Sequence, residues 1–161
     1  QAFDTALNML VDLTQQQLSD IGSVAQQRLF GDCHPGNILW TDNGPHFVDL
    51  DDSVNGPAIQ DLWMMLSGDR NAQMMQLEVL LEGYGEFCEF DTNELKLIEP
   101  LRAMRMVNYM YWLAKRWDDP AFPHNFPWFN TPQYWEQQVL AIKEQIAQLQ
   151  EPPLTLPSFN F

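Results

Sequence analysis

The feature that most constrains the fold of this chain is a stretch that must reverse direction at a short turn. An apolar run at residues 38–40 is followed by Asp42-Asn43-Gly44, and the chain then continues through a second apolar run to Asp49. An Asp-Asn-Gly turn between two apolar runs is a strong signal for a β-hairpin. We therefore predict a small hairpin that returns Asp49 to the residues preceding the first strand.

The loop before this hairpin carries two polar side chains, Asp32 and Asn37. Pro35 and Gly36 lie between them and favour an irregular loop, because proline lacks an N–H and glycine allows unusual backbone angles. Phosphoryl transfer needs a carboxylate to orient and deprotonate a hydroxyl, and oxygen ligands for Mg²⁺. Asp32 suits the first task, and Asn37 and Asp49 suit the second.

These segments resemble the catalytic loop and metal-binding strand of the aminoglycoside/choline phosphotransferase family, which is related to the protein kinases. The resemblance rests on Gly-Asp-Cys-His-Pro-Gly-Asn-Ile-Leu-Trp at residues 31–40 and Phe-Val-Asp-Leu-Asp-Asp at residues 47–52. It continues through Asn-Gly-Pro-Ala-Ile-Gln-Asp-Leu-Trp at residues 55–63 and through residues 97–105 and 120–128. Within the family, the sequence resembles bacterial Ser/Thr protein kinases that act in stress responses.

The resemblance implies a role for each polar residue. Asp32 corresponds to the catalytic aspartate, Asn37 to a Mg²⁺ ligand, and Asp49 to the metal-binding aspartate of the catalytic set. Asp61 matches a buried family aspartate that holds the catalytic loop, and His34 is expected to shape that loop, with a proton shuttle as the alternative. The implied cofactors are Mg²⁺ and ATP.

One position departs from the family pattern. Phe30 stands where the family usually has histidine, and we expect the aromatic ring to keep the packing while losing a hydrogen bond. Cys33 and His34 offer zinc's preferred ligand types, but they lack the spaced second pair that a structural zinc site needs.

Two further groups are candidates for contact with the acceptor substrate. If residues 46–52 form a strand, Asp49 and Asp51 lie on the same face, which makes Asp51 an auxiliary acid. Aromatic residues that include Trp112 and Trp128 could bind a cationic amine through cation–π contacts. The structural alternatives are a solvated acidic turn for Asp51 and a well-filled core for the aromatic residues.

The amino-acid composition limits the classes of partner that this protein can bind. The net charge of -14 argues against nucleic acid and anionic membranes, since both bind through Lys and Arg. Cys33 and Cys88 indicate no disulfide framework, and no apolar run approaches the roughly 18 residues of a membrane span. We expect a cytoplasmic protein, monomeric when complete, whose partners are ATP and protein substrates.

The predicted fold class is α+β and mostly α, the C-terminal lobe of a kinase-like fold with helices around a short catalytic hairpin. Residues 1–150 are expected to form this lobe, with the catalytic loop at 30–37, the metal-binding strand at 46–52 and an extended tail at 151–161. The segment before the loop is too short for a nucleotide-binding lobe. That N-terminal lobe is therefore expected in a longer protein, and this fragment alone is expected to be inactive.

Apolar periodicity predicts helices elsewhere. Gly22 is expected to bend or end the first helix, and Asp91 with Glu94 suggests a capping box. Residues 118–130 are rich in proline and aromatic residues, which predicts an irregular loop. The predicted helices cover residues 4–26, 58–66, 71–87, 91–117 and 131–150.

Three functions remain open. The leading hypothesis is transfer of the γ-phosphate of Mg-ATP to Ser/Thr hydroxyls of proteins, including the protein itself. A small-molecule kinase for an amino alcohol or aminoglycoside would use the same loop. A nonenzymatic pseudokinase or partner-binding lobe is favoured by Phe30 and the missing lobe, and disfavoured by the presence of Asp32, Asn37 and Asp49.

Overall fold

The computed structural model describes residues 1–156, and the chain divides into two compact units. The first unit comprises Gln1–Asp20 and Glu99–Pro152, and the second comprises Ile21–Ile98 and the segment from Pro153 onward. The last part of the predicted tail, residues 157–161, lies outside the described residues.

The architecture is α+β and mostly helical, which confirms the predicted fold class. Within the described part of the chain, the strands form two small antiparallel sheets of two strands each. No helix within residues 1–156 is both long and apolar enough to cross a membrane. In chain order the elements are α1 (Ala2–Ile21), β1 (Gln27–Arg28), a first 3₁₀ helix (Pro35–Asn37), β2 (Ile38–Thr41), β3 (Gly44–Phe47), β4 (Asn55–Gly56), α2 (Ile59–Trp63), α3 (Arg70–Gly85), a second 3₁₀ helix (Thr92–Leu97), α4 (Ile98–Lys115), α5 (Ala121–Asn125) and α6 (Pro132–Gln150).

In the first unit, α1, α4 and α6 share an apolar core. Leu10 of α1 and Ile142 of α6 are fully buried, and Ala103 and Met110 of α4 pack in the same cluster. The first helix ends at Ile21 rather than near residue 26, because Gly22 adopts a φ of +76° that no helix continues through.

The last helix follows its sequence signal closely. Thr131 has an extended backbone, and its side-chain oxygen accepts a hydrogen bond from the Tyr134 N–H at 3.2 Å. Pro132 occupies the first turn, where its missing N–H would have no helical partner. The predicted helix start is therefore confirmed.

The proline-rich segment contains a short helix that the sequence analysis did not predict. The expectation that residues 118–130 lack regular helix is wrong for α5, Ala121–Asn125. Pro120 directly precedes this helix and Pro123 is its third residue, so the missing N–H groups fall where a helix leaves them unpaired. The Asp119 carboxylate accepts a hydrogen bond from the Ala121 N–H at 2.9 Å and supports the start.

In the second unit, β2 and β3 form the predicted hairpin. Thr41 pairs with Gly44 at its turn and Ile38 pairs with Phe47 at its open end. Gly44 has a φ of +106°, a backbone angle that favours glycine in tight turns. The open end faces back toward the loop that carries Asp32.

The segment around Glu94 differs from the prediction. A capping box would pair the Glu94 side chain with the start of its own helix, but this side chain accepts a hydrogen bond from Ile59 N–H instead. Asp91 does cap the second 3₁₀ helix, through a 2.9 Å hydrogen bond from Asn93 N–H. The continuous helix expected from residue 91 is therefore a 3₁₀ segment followed by α4.

Candidate active site

The loop that carries Asp32 runs from β1 to the first 3₁₀ helix. Gln27 and Arg28 of β1 pair with β4, and Leu29 N–H donates a 2.8 Å hydrogen bond to the carbonyl of Val54. This pairing anchors the chain immediately before Phe30. The loop therefore begins from a fixed strand pair.

The backbone just before Asp32 is held by α2. The Asp61 carboxylate accepts hydrogen bonds from the N–H of Phe30 at 2.7 Å and from the N–H of Gly31 at 2.8 Å. The Gln60 side chain donates a 3.2 Å hydrogen bond to the carbonyl of Gly31. Both polar groups of Gly31 are thus bound by neighbouring side chains of one helix.

Asp32 and Asn37 lie together, as their sequence spacing suggested. The Asn37 amide nitrogen Nδ2 donates to the Asp32 carbonyl at 3.1 Å and lies 3.4 Å from the carboxylate oxygen Oδ2 of Asp32. Asn37 is buried, and its own N–H donates to the His34 carbonyl at 2.9 Å. Because both side-chain hydrogen bonds use Nδ2, the amide oxygen of Asn37 remains available as a ligand.

His34 lies near the same carboxylate oxygen of Asp32. Its Nδ1 accepts a 3.0 Å hydrogen bond from Gly36 N–H, and its Nε2 lies 3.4 Å from Oδ2 of Asp32. An Nδ1 that accepts a hydrogen bond carries no proton, so the neutral ring has its proton on Nε2, beside Asp32. A Cβ on Gly36 would lie 2.7 Å from the imidazole, so glycine there makes room for the ring.

Asp49 follows the hairpin and lies beside the end of the loop. The Val48 N–H donates a 3.0 Å hydrogen bond to the Asn37 carbonyl, which brings the chain next to Asn37. Asp49 itself is exposed and has a φ of +65°. Such an angle is uncommon for a residue other than glycine and is concentrated at functional sites.

The expected strand over residues 46–52 is only partly present. β3 ends at Phe47, and residues 50–53 form a turn closed by a 3.1 Å hydrogen bond from Ser53 N–H to the Leu50 carbonyl. The alternation that was expected to put Asp49 and Asp51 on one face is therefore wrong, because neither residue belongs to a strand. Both carboxylates are exposed.

The donor atoms of this site fit a magnesium ion. Mg²⁺ prefers oxygen ligands and is usually held by one or two carboxylates together with water and substrate phosphates. The Asn37 amide oxygen and the Asp49 carboxylate are of this kind. Within residues 1–156 no group of three or more His, Cys, Asp or Glu side chains is arranged to hold a metal ion. A magnesium site that substrate phosphates complete does not need three such side chains.

Phe30 and Cys33 flank Asp32 at short distances along the chain, and neither has an assigned role in the chemistry. The Phe30 ring lies 6.0 Å from the ring of Phe47, centroid to centroid, so the aromatic contact joins the loop to the hairpin. Burial raises the pKa of the Cys33 thiol, and the nearby carboxylates of Asp61 and Asp32 raise this pKa further. A raised pKa disfavours the thiolate that metals bind and electrophiles attack.

Trp112 and Trp128 belong to the first unit, in an aromatic cluster. Trp112 stacks on Tyr109 at a centroid distance of 6.0 Å, and the Arg116 guanidinium lies 5.1 Å from the Trp112 ring centroid. Trp112 thus already has a cationic partner within the chain. Trp128 packs against Tyr134 at 5.5 Å, so packing accounts for much of this cluster, and its contact with a substrate stays a prediction.

Sequence reasoning missed Gln60 and the role of Gly31. Gln60 sits directly before Asp61 in a helix start, and nothing in its local pattern marks it as a partner of the loop. Gly31 was quoted only as part of a motif, although a glycine directly before a candidate catalytic residue signals a backbone constraint.

Comparison with known proteins identifies the protein family of this chain. Residues 2–98 match the family model described as the phosphotransferase enzyme family, which covers the loop, the hairpin and Asp61. The chain therefore belongs to this family, as its sequence motifs predicted. Family members transfer phosphoryl groups, the chemistry for which Asp32, Asn37 and Asp49 were singled out.

Individual relatives narrow the similarity further. The chain is 64% identical to stress response kinase A of Escherichia coli over 129 residues, which is 80% of this chain and 39% of the relative. It is 54% identical over 156 residues to a protein of Salmonella typhimurium named serine/threonine protein kinase RdoA, covering 97% of this chain and 45% of that protein. The chain thus spans less than half the length of these curated relatives.

Proposed function

We propose that this chain provides the catalytic lobe of a kinase that transfers the γ-phosphate of Mg-ATP to Ser/Thr hydroxyls of proteins. The observation that carries the proposal is the placement of the Asp32 carboxylate between Nε2 of His34 and Nδ2 of Asn37. Both nitrogen atoms lie 3.4 Å from the same carboxylate oxygen, Oδ2, and these contacts restrict the orientation of the Asp32 side chain.

In the proposed reaction Asp32 acts as the general base. Its carboxylate accepts the proton of the acceptor hydroxyl as the hydroxyl oxygen attacks the γ-phosphorus and ADP departs. Asp61 serves this step indirectly, because its two hydrogen bonds hold the backbone that leads into Asp32. Small displacements of a reacting group cost large factors in rate, so a rigid loop is part of the catalytic arrangement.

Asn37 and Asp49 are the proposed ligands of the magnesium ion. The bound ion would neutralise charge on the phosphates. Asn37 would contribute its amide oxygen, and the exposed Asp49 would contribute a carboxylate from a residue whose φ is +65°. Asp51, in the adjacent turn, is proposed only as an acid near the acceptor.

The choice of protein substrates rests on the relatives. One relative is named a serine/threonine protein kinase and others are named stress response kinases, and we extend both the acceptor class and the stress role to this chain. A cytoplasmic location is proposed with them, in line with two free cysteines, Cys33 and Cys88. Since the chain spans less than half of those relatives, we expect it to transfer phosphate poorly by itself.

The alternative is a kinase for a small amine. Its support is the group of aromatic residues around Trp112, because aromatic faces bind cationic groups, and the contact of Arg116 with the Trp112 ring weakens that support. The arrangement of Asp32, Asn37 and Asp49 serves either acceptor equally.

A labelling experiment distinguishes the two acceptors. The complete protein that contains this chain is incubated with Mg²⁺ and γ-labelled ATP, beside an Asp32→Asn control and beside the chain alone. Label on serine or threonine, absent from the control, supports the protein kinase. Label that appears only on added amino alcohols or aminoglycosides would instead establish the small-molecule kinase, and no Asp32-dependent transfer to any acceptor would contradict the enzymatic function.

A further inference from the structure

Glu94 is a buried acid with no part in the reaction proposed above. Only 3% of the surface of Glu94 is exposed, and Glu94 lies in the second 3₁₀ helix. One carboxylate oxygen accepts a 2.9 Å hydrogen bond from Ile59 N–H, and the backbone N–H of Ala58 also bonds to this carboxylate. Burying a carboxylate costs free energy unless it is hydrogen-bonded, so these two bonds are what keeps Glu94 in place.

The two N–H groups belong to the start of α2, which has no cap of its own. Ala58 directly precedes α2, and its side chain makes no capping hydrogen bond. A helix of five residues is too short to be stable alone, and its first N–H groups have no partner within the helix. Glu94, 35 residues further along the chain, supplies both the missing acceptor and a carboxylate at the positive end of the helix.

The same short helix holds the catalytic loop. Asp61 accepts the hydrogen bonds of Phe30 and Gly31, and Gln60 donates to the Gly31 carbonyl. Glu94 is therefore connected to the backbone before Asp32 through α2, because hydrogen bonds join Glu94 to the start of this helix and join Asp61 and Gln60 of the helix to the loop. Each of these residues lies in the second unit.

We propose that Glu94 is a positioning residue for phosphoryl transfer: by capping α2 it keeps Asp61 and Gln60 in register with the loop that carries Asp32. The inference rests on the proposed function, because it assigns Glu94 an effect on the geometry of the general base. Glu94 acts through α2 and contacts none of the candidate catalytic residues directly.

The kinetic test compares two substitutions at this position in the complete protein. Glu94→Leu removes the acceptor at similar volume, and it is expected to lower kcat by about tenfold or more while KM for ATP changes by less than about threefold. Glu94→Gln keeps an acceptor oxygen and is expected to recover much of the loss. Glu82→Gln, at an exposed position of α3, is the matched control and should leave kcat unchanged.

Hydrogen exchange separates positioning from a general loss of stability. In Glu94→Leu the amides of Phe30 and Gly31 should exchange about tenfold faster, while those buried in α3 keep their wild-type rates. Hydrogen exchange can be measured whether or not the protein transfers phosphate. A wild-type protein that transfers no phosphate would contradict the proposed function, and the exchange rates would still test the link between Glu94 and the loop.

Two results would overturn the inference. One is a folded Glu94→Leu variant with wild-type kcat and wild-type exchange at Phe30 and Gly31. The other is an equal increase in exchange across the loop and α3, which would mean that Glu94 contributes only to stability. If Glu94→Leu does not fold, Glu94→Gln decides by the same criteria, with a smaller but loop-specific increase expected.

Discussion

Gly31 packs directly against the backbone of Asp52, so closely that a Cβ atom on Gly31 would overlap the Asp52 carbonyl oxygen. The φ of Gly31 is +94°, which side chains rarely allow. The loop before Asp32 and the turn after Asp49 are therefore in contact at Gly31. Only glycine, which has no side chain, allows so close an approach of the two backbones. This contact keeps the two acidic segments of the site together.

Substitution of Gly31 tests this contact. Gly31→Ala is expected to lower the free energy of unfolding by about 2–5 kcal/mol, since it adds backbone strain and a steric overlap. Denaturant unfolding measures the change. Gly83→Ala, at an open position inside α3, is the control and should stabilise the protein by about 0.5–1 kcal/mol; equal effects at the two glycines would contradict the role of the Asp52 contact.

Asp61→Asn tests how the loop is held. An amide offers one acceptor oxygen, so at least one N–H of Phe30 or Gly31 loses its partner, and we expect a cost of about 1–3 kcal/mol and a lower kcat. Asp69→Asn is a matched control, because Asp69 caps α3 and asparagine caps helices equally well. Thermal unfolding and steady-state kinetics of both variants give the comparison. A change at Asp69 as large as the change at Asp61 would argue against a specific role for Asp61.

The pH dependence of the free energy of unfolding should reveal the raised pKa of the Glu94 carboxyl. Burial raises the pKa of this carboxyl above its ordinary value of 4.5, and Asp91 raises it further, while the N–H groups of Ile59 and Ala58 act in the opposite direction. Because the folded state then binds the proton more tightly than the unfolded state, the contribution of Glu94 to stability is present below pH 4.5 and is lost as the pH rises through the raised pKa. Glu94→Gln should remove that dependence.

Unfolding free energies of the wild-type protein and of Glu94→Gln, measured from acidic to neutral pH, check this prediction. The difference between them should move in favour of Glu94→Gln as the pH rises. A constant difference, or one that moves in favour of the wild-type protein, would contradict a raised pKa.

Tyr134 offers a test in the first unit. Its hydroxyl is buried, and it lacks a hydrogen-bond partner among residues 1–156. Burial raises the pKa of this hydroxyl, with a smaller contribution from Tyr109. Because a buried hydroxyl without a partner is costly, Tyr134→Phe is expected to stabilise the protein by about 1–2 kcal/mol in thermal unfolding; a loss of stability would show that the hydroxyl is hydrogen-bonded.

Local signals in the sequence predicted the elements that depend on local chemistry. The Asp42-Asn43-Gly44 turn located the hairpin, and Thr131-Pro132 located the start of α6, because turns and caps are built from neighbouring residues. Tertiary contacts overrode local patterns elsewhere. Glu94 matched a local capping box, yet its carboxylate caps α2 instead.

The candidate site was predictable in part for the same reason. The spacing of Asp32 and Asn37 places both in one loop, so their proximity could be expected from the sequence. The backbone conformation of Asp49 could not be expected from the sequence. The prediction extended the strand to residue 52, whereas β3 ends at Phe47. The hydrogen bond of Gln60 to Gly31 likewise depends on how α2 packs, which no local pattern reveals.

The most direct test of the central claim separates the roles of Asp32 and Asp49 in the complete protein. Single-turnover phosphoryl transfer and Mg-ATP binding are measured for Asp32→Asn and Asp49→Ala. A general base predicts that Asp32→Asn lowers the transfer rate by at least about 100-fold with nucleotide affinity nearly unchanged, whereas Asp49→Ala weakens Mg-ATP binding. Transfer by Asp32→Asn at the wild-type rate would contradict the account.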